Sequence, residues 1–352
     1  MRRLAYHSIS GERTDQACRI RSGGSATTGC NTTNHFLEGK GNQMKILYFD
    51  DFRLGILRGD EVVDVSDQVQ DIPHTGPHDL ITGLIARFDD YRDRIEKAAA
   101  EGEGIPLANV RIRPPLPKPG NIDCMAVNYM ENGTLPEPTP INAFHKASNG
   151  VIGEGDTMVL PDIPAKIFEG EAELGLVIGK QAKDVSAENA MDHIFGYFNF
   201  IDGSARDMPP PTNVFFQAKS RDTFAPIGPY IVTADEIDDP QNLDVKLWVN
   251  GQLMQDFNTD DMAHNIPRCI EWLSSIHTLE PGDIVATGTN HRGLNPFQGG
   301  DKVELEVEGC GRLTINVRDD LNRKWARVTR LEHTSGGGEG RYTPQISGKY
   351  AE

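Results

Sequence analysis

The stretch Phe168-Glu169-Gly170-Glu171-Ala172-Glu173-Leu174-Gly175-Leu176-Val177-Ile178-Gly179 opens with acids and closes as an apolar run. The apolar half reads as a buried β-strand, and a strand sends residues i and i+2 to one face. Glu171 and Glu173 therefore point the same way, beside Glu169. Carboxylates this close repel one another and are costly to bury unpaired. Such a strand needs a bound cation, or a set of Lys and Arg partners. A solvated acidic edge strand has the same spacing, so spacing alone leaves both readings open.

Further along, the aromatic run Gly196-Tyr197-Phe198-Asn199-Phe200-Ile201 ends at Asp202-Gly203. An acid at a strand mouth, beside a permissive glycine, is the best third partner for Glu171 and Glu173. A ligand set of carboxylates without His or Cys favours a hard divalent ion: Mg²⁺, with Mn²⁺ or Ca²⁺ as alternatives. Basic residues follow. Arg206 lies four positions after Asp202, and Lys219 sits in Phe216-Gln217-Ala218-Lys219-Ser220-Arg221. A cation beside carboxylates and a metal can hold an anionic group or stabilise an enolate. Surface salt bridging is the competing account of either residue. Pro281-Gly282-Asp283-Ile284-Val285-Ala286-Thr287-Gly288-Thr289 reads as a turn, a buried strand and a Thr-Gly-Thr end that faces a ligand, or as a plain strand connection.

The chain has 352 residues, 25% of them charged and 38% hydrophobic, with a net charge of −17. That profile is expected of a water-soluble cytoplasmic enzyme and disfavours a nucleic-acid surface, which needs a basic patch. The five cysteines are scattered and form no CxxC pair, so neither a disulfide framework nor a thiolate zinc site is indicated. No apolar run reaches the length of a membrane span. Residues 1–43 carry no hydrophobic period and are expected to be a disordered extension. Residues 44–118 read as a small α+β domain of short strands and one helix carrying Leu80, Leu84, Phe88, Tyr91 and Ile95. The segment 119–319 is mostly strands, with helices after Ser186 and over 266–276. A hairpin of 302–307 and 313–317 turns at Gly309-Cys310-Gly311. Short strands punctuated by Gly and Pro predict a folded mixed sheet or roll, mainly β, and not a doubly wound sheet. Residues 320–352 form a polar tail, either disordered or wrapped on a partner.

Together these blocks resemble the fumarylacetoacetate hydrolase family over about 119–319. The resemblance is carried by the Glu171-x-Glu173-Leu174 strand, Asp202-Gly-Ser-Ala-Arg206-Asp207, Lys219-Ser220, Pro226-Ile-Gly-Pro229, Val249-Asn250-Gly251 and Leu279-Glu-Pro-Gly-Asp283 through Thr289. The resemblance implies a β-roll catalytic domain, a homodimer, Glu171, Glu173 and Asp202 as metal ligands, and a substrate site lined by Arg206, Thr289, Lys146 and Tyr129. It implies an ion bound to adjacent oxygens of a β-diketo or 2-oxo acid. Lys219 then stabilises the developing enolate, and Arg206 grips a carboxylate.

Two positions depart from the family pattern. Many members carry Asn-Tyr-x-x-His, whereas Asn128-Tyr129-Met130-Glu131-Asn132 ends in Asn. Asn cannot take up a proton at neutral pH. C–C hydrolases of the family also carry Gln three residues after the Arg, where Pro209 stands here. His291, Glu131 and His145 are the residues available to replace the missing base, with His291 favoured. Bland roles compete: His291 bonding its own loop, and Glu131 simply solvated. The expected activity is C–C bond hydrolysis of a small acylpyruvate-like carboxylic acid. A 2-oxo acid isomerase, tautomerase or decarboxylase of aromatic catabolism, and a non-catalytic metal-binding paralogue, are the alternatives.

Overall fold

The acid-rich strand, Ile167–Ile178, is buried along its whole length. It pairs antiparallel with Ile194–Arg206, in register from Ile167 opposite Arg206 to Glu173 opposite Phe200 and beyond. Each of these strands has another neighbour: Ala225–Thr233 beside Ile194–Arg206, and Ile284–Ala286 beside Ile167–Ile178. The acidic strand is therefore interior to the sheet, with the acids paired on the Ile194–Arg206 side while Ile284–Ala286 covers only Gly175–Val177 on the other. The computed structural model describes residues 44–209 and 215–351; the expected disordered extension over 1–43 lies outside the described residues.

Among the described residues, twelve strands join this sheet. On one side it runs from Ala225–Thr233 through Lys45–Phe49, Arg53–Arg58 and Glu61–Asp64 to Gly104–Pro106. On the other it runs from Ile284–Ala286 through Ile122–Met125 to Ala143–His145. Ile284–Ala286 pairs parallel with Ile122–Met125, so the sheet is mixed. A second sheet of five strands contains the expected hairpin, Lys302–Val307 with Arg312–Arg318. Val303, Leu305 and Val307 are buried while Glu304 and Glu306 are half-exposed, the alternation their sequence demands. The fold is mainly β with an open mixed sheet. Buried Asn199 links the two sheets: its Nδ2 donates to Cys310 O at 3.1 Å, and its Oδ1 accepts from Val307 N at 2.7 Å.

The N-terminal strands are hydrogen-bonded into the catalytic sheet, with Lys45 opposite Val232 and Ile46 opposite Ile231. The helix expected over residues 80–95 is two helices, Pro77–Ile85 and Phe88–Glu101. Arg87, at φ −133°, breaks the spiral. The break lets Phe88 meet Phe195 edge-on at 4.9 Å between centroids, a contact no local pattern encodes. The expected helix after Ser186 is a 3₁₀ segment, Ala187–His193, and the helix at Ile266–Ile276 stands as read. The polar tail is ordered against the rest of the molecule. Arg323 and Trp325 are buried, Lys324–Trp325 pairs with Gln345–Ser347, and a capping box of Thr329 and Glu332 starts the helix Arg330–Ser335.

Candidate metal centre and active site

Strand register places Asp202 directly across from Glu171, and Glu173 lies two residues on, on the same face. One carboxylate oxygen from each lies within 4.8 Å of the others, and all three residues are buried. Glu169 stands on that face too, opposite Ser204.

Four cations enter the cluster. Lys219, from the short helix Phe215–Lys219, donates Nζ to Glu171 Oε2 at 2.5 Å and also to Asp202. Lys146 donates to Asp202 and to Gly203 O at 2.9 Å. Arg206 donates to Glu171 and, at 3.1 Å, to Glu169. Arg330, from the tail helix, forks onto Glu169, its Nε at 2.9 Å. Burial pushes the Glu171 carboxyl up, but Lys219, Arg206 and His291 outweigh it and hold it well below the usual range. Burial lowers Lys219, and Asp202 and Glu171 more than restore it.

Glu173 differs. The hydrogen bond it accepts among the described residues comes from Gly288 N at 2.7 Å. Burial and then the Asp202 and Glu171 charges push its carboxyl well above the ordinary range. A buried carboxylate facing two others, with no ion pair of its own among the described residues, is the feature that a divalent ion satisfies. The all-oxygen donor set fits Mg²⁺, Mn²⁺ or Ca²⁺.

His291 and Glu131, separate guesses in the sequence, meet in the structure. His291 Nδ1 lies 2.6 Å from Glu131 Oε1, and the His291 backbone N donates to Glu131 Oε2 at 3.0 Å. His291 Nε2 lies 3.8 Å from Glu171 Oε1. The loop bearing Glu131 is strained, with Val127, Glu131 and Asn132 at φ 54°, 57° and 57°. A positive φ is uncommon for a β-branched residue, and such strain concentrates at functional sites. Asn132 accepts from Asn290 Nδ2 at 2.5 Å and donates its backbone N to Asp261.

A cavity of about 350 Å³ opens over this centre, lined by Glu171, Arg206, Lys219, Thr289, His291 and Arg330 among others. Phe144, Phe215, Met125 and Met208 supply apolar wall, and Arg341 and Tyr342 of the tail close one side. Thr289 accepts from Gln255 Nε2 at 2.9 Å. Two residues named from the sequence stand elsewhere. Tyr129 is fully buried with its ring edge-on to Phe257, and Lys146 is buried behind Asp202; neither lines the cavity. His145 is exposed and its strand neighbour is Asp123. Arg330, Arg341 and Tyr342 were missed. The capping box at Thr329 and Glu332 was the one local signal that the tail folds.

The fold and site define an enzyme with an acidic centre, an adjoining ammonium and an arginine-rich cavity. The model of the fumarylacetoacetate (FAA) hydrolase C-terminal domain matches residues 122–318. Maleylpyruvate hydrolase of Aquipseudomonas alcaligenes is 34% identical over 291 residues, covering 78% of this chain and 99% of that one. The crystal structure of maleylpyruvate hydrolase from Sphingobium sp. SYK-6, in complex with manganese (II) ion and pyruvate, superposes with a TM-score of 0.72. It is 36% identical, and the match covers 78% of this chain and 99% of that one. Oxaloacetate tautomerase YisK of Bacillus subtilis (strain 168) is 37% identical over 225 residues, 60% of this chain and 74% of that one. The chain belongs to the fumarylacetoacetate hydrolase family, whose members among these relatives are hydrolases and isomerases. No helix among the described residues is long and apolar enough to cross a membrane.

Proposed function

We propose that this enzyme hydrolyses a C–C bond in a small acylpyruvate-like dicarboxylic acid, using Glu171, Glu173 and Asp202 to hold Mg²⁺ or Mn²⁺. The observation that carries the reading is the Glu131–His291 pair at 2.6 Å, with the free imidazole nitrogen turned toward the acidic centre. A divalent ion held there would supply Lewis-acid polarisation of the substrate. Glu131 fixes the tautomer of His291, leaving Nε2 to take a proton from water or from a substrate carbon. Lys219 holds a fixed positive charge where an enolate oxygen develops, and Arg206 orients a carboxylate. Arg341, at the cavity wall, receives a second carboxylate. The His–Glu pair replaces the lid histidine for which Asn132 stands, with Glu131 from the same loop and His291 from another.

One observation favours a second reading, keto–enol tautomerisation of a 2-oxo diacid. Pro209 stands where hydrolases of the family carry Gln, which removes a substrate hydrogen bond. The Glu131–His291 pair shuttles a proton equally well without water. Turnover of maleylpyruvate, other acylpyruvates and oxaloacetate with Mn²⁺ or Mg²⁺ separates the two. Pyruvate release from acylpyruvates supports hydrolysis, and proton exchange without cleavage supports tautomerisation. In either case His291→Ala is expected to lower kcat by ~10²–10⁴-fold, the range for loss of a general base. A pH–rate profile and kcat unchanged in His291→Ala overturn the assignment of this pair.

A further inference from the structure

On the face of the sheet opposite the acidic centre, a second set of ligating side chains converges. Asp123 and His145 are direct cross-strand neighbours in Ile122–Met125 and Ala143–His145, so they share one face. The alternate residues face the other way: Phe144 lines the catalytic cavity and Lys146 reaches Asp202. His277 arrives from a third element, just past the helix Ile266–Ile276. His145 Nδ1 lies 3.0 Å from Asp123 Oδ1, and His277 Nε2 lies 3.2 Å from Asp123 Oδ2. One ligating atom of each residue falls within 4.8 Å of the others, and the imidazole centroids are 5.5 Å apart.

Two observations point to a cation between them. Asp123 is 2% exposed, yet its Oδ2 makes no aligned hydrogen bond, and neither does the buried His277 Nε2 that it faces. Buried polar atoms are rarely left so. In addition, His277 Nδ1 lies 3.0 Å from Thr278 O. A carbonyl oxygen only accepts, so Nδ1 is the donor in this contact and Nε2 is the ring nitrogen left facing the carboxylate. Metal-bound histidines show this arrangement: one ring nitrogen donates to a carbonyl and the other ligates.

We propose that Asp123, His145 and His277 form a second metal site, distinct from the carboxylate centre, that takes a borderline divalent ion of the zinc class. Two imidazoles and one carboxylate suit Zn²⁺, with the exposed side of His145 leaving a fourth position for water. The ion ties Ala143–His145 to the end of the Ile266–Ile276 helix. It thereby braces the strand whose other face carries Phe144 and leads into Lys146.

The test uses the full chain with Glu173→Gln, which disables the carboxylate centre, stripped with chelator and titrated with Co²⁺ as a spectroscopic stand-in for Zn²⁺. The expected result is one equivalent of Co²⁺ bound with visible ligand-field absorption, displaced by Zn²⁺. His145→Ala and His277→Gln, each added to that background, should weaken binding by at least the ~10–100-fold that loss of even an outer partner costs. His145 has a side chain 64% exposed, so its replacement leaves the core untouched and folding failure does not confuse the result. No uptake, or uptake unchanged in both histidine variants, overturns the proposal. A His277 ring that titrates as an imidazolium paired with Asp123, without Co²⁺ uptake, overturns it as well and identifies an ion-pair cluster.

Discussion

Glu173 and Glu169 share a strand face and have opposite needs. Glu173 accepts from a backbone N–H and is pressed by the Asp202 and Glu171 charges more than Lys219 offsets, so Glu173→Gln removes the repulsion together with a ligand. The expected outcome is a metal-free variant at least as stable as the parent. The parent gains about 2.7 kcal/mol at Mn²⁺ a hundredfold over the Kd of this centre, and the variant should lose that gain; thermal unfolding with and without Mn²⁺ reads both. Burial pushes Glu169 up, but Arg330 and then Arg206 outweigh it and hold its carboxyl below the ordinary value. A carboxyl with a depressed folded pKa stabilises the fold above its unfolded value of ~4.3, and that stability is lost as pH falls through the folded value. Arg330→Met leaves buried Glu169 with Arg206 alone. It should cost about 3 kcal/mol at pH 7 and less near pH 4, as measured by urea unfolding. The acids were legible because a two-residue period needs no long-range information. Arg330 was not, since nothing local ties residue 330 to residue 169.

The pairing of Ile167–Ile178 with Ile194–Arg206 is the element on which the centre is built. Gly170 sits between two of its acids, and a Cβ there would run into the Phe297 ring and, at 2.9 Å, Ile201 Cγ2. Gly170→Ala should therefore cost about 1–3 kcal/mol by overpacking and weaken Mn²⁺-dependent stabilisation, because the strand must shift to admit a methyl group. Equilibrium denaturation with and without Mn²⁺ checks both. At this scale the sequence showed what local periodicity can carry, namely the acidic strand, the Lys302–Val307 hairpin and the Ile266–Ile276 helix. It did not show the break at Arg87, because the apolar spacing runs unbroken from Leu80 to Ile95 and the Phe195 ring that rewards the break lies far along the chain. Nor did it show that Glu131 and His291 meet, since they are 160 residues apart and each reads locally as a loop residue.

Across the described residues, the strands of 44–118 and the catalytic strands share one sheet and two buried apolar clusters. Leu47, Phe49 and Val62 belong to the same buried cluster as Phe168, Ile201 and Leu247. Composition and the Pro-rich stretch over 114–119 suggested a boundary near 118; the hydrogen-bond ladder at Ile46 and Ile231 crosses it. Leu47→Ala and Leu247→Ala should each cost about 2–5 kcal/mol and shift one common calorimetric transition, not two separate ones. The tail completes the same body. Removing residues 320–352 would expose the partners of Arg323, Trp325 and Arg330 together, so the shortened chain should lose Mn²⁺ binding along with most of its stability, as thermal unfolding would show.

The ladder between Ile167–Ile178 and Ile194–Arg206 also constrains how such a gene can change. Because side chains alternate, gaining or losing a single codon between Glu169 and Glu173 would turn the acids on one side of the change to the wrong layer unless a bulge absorbed it. Length variation is therefore borne most cheaply by the connecting loops, and descendants of this chain can diversify their chemistry there while the oxygen cluster keeps its place.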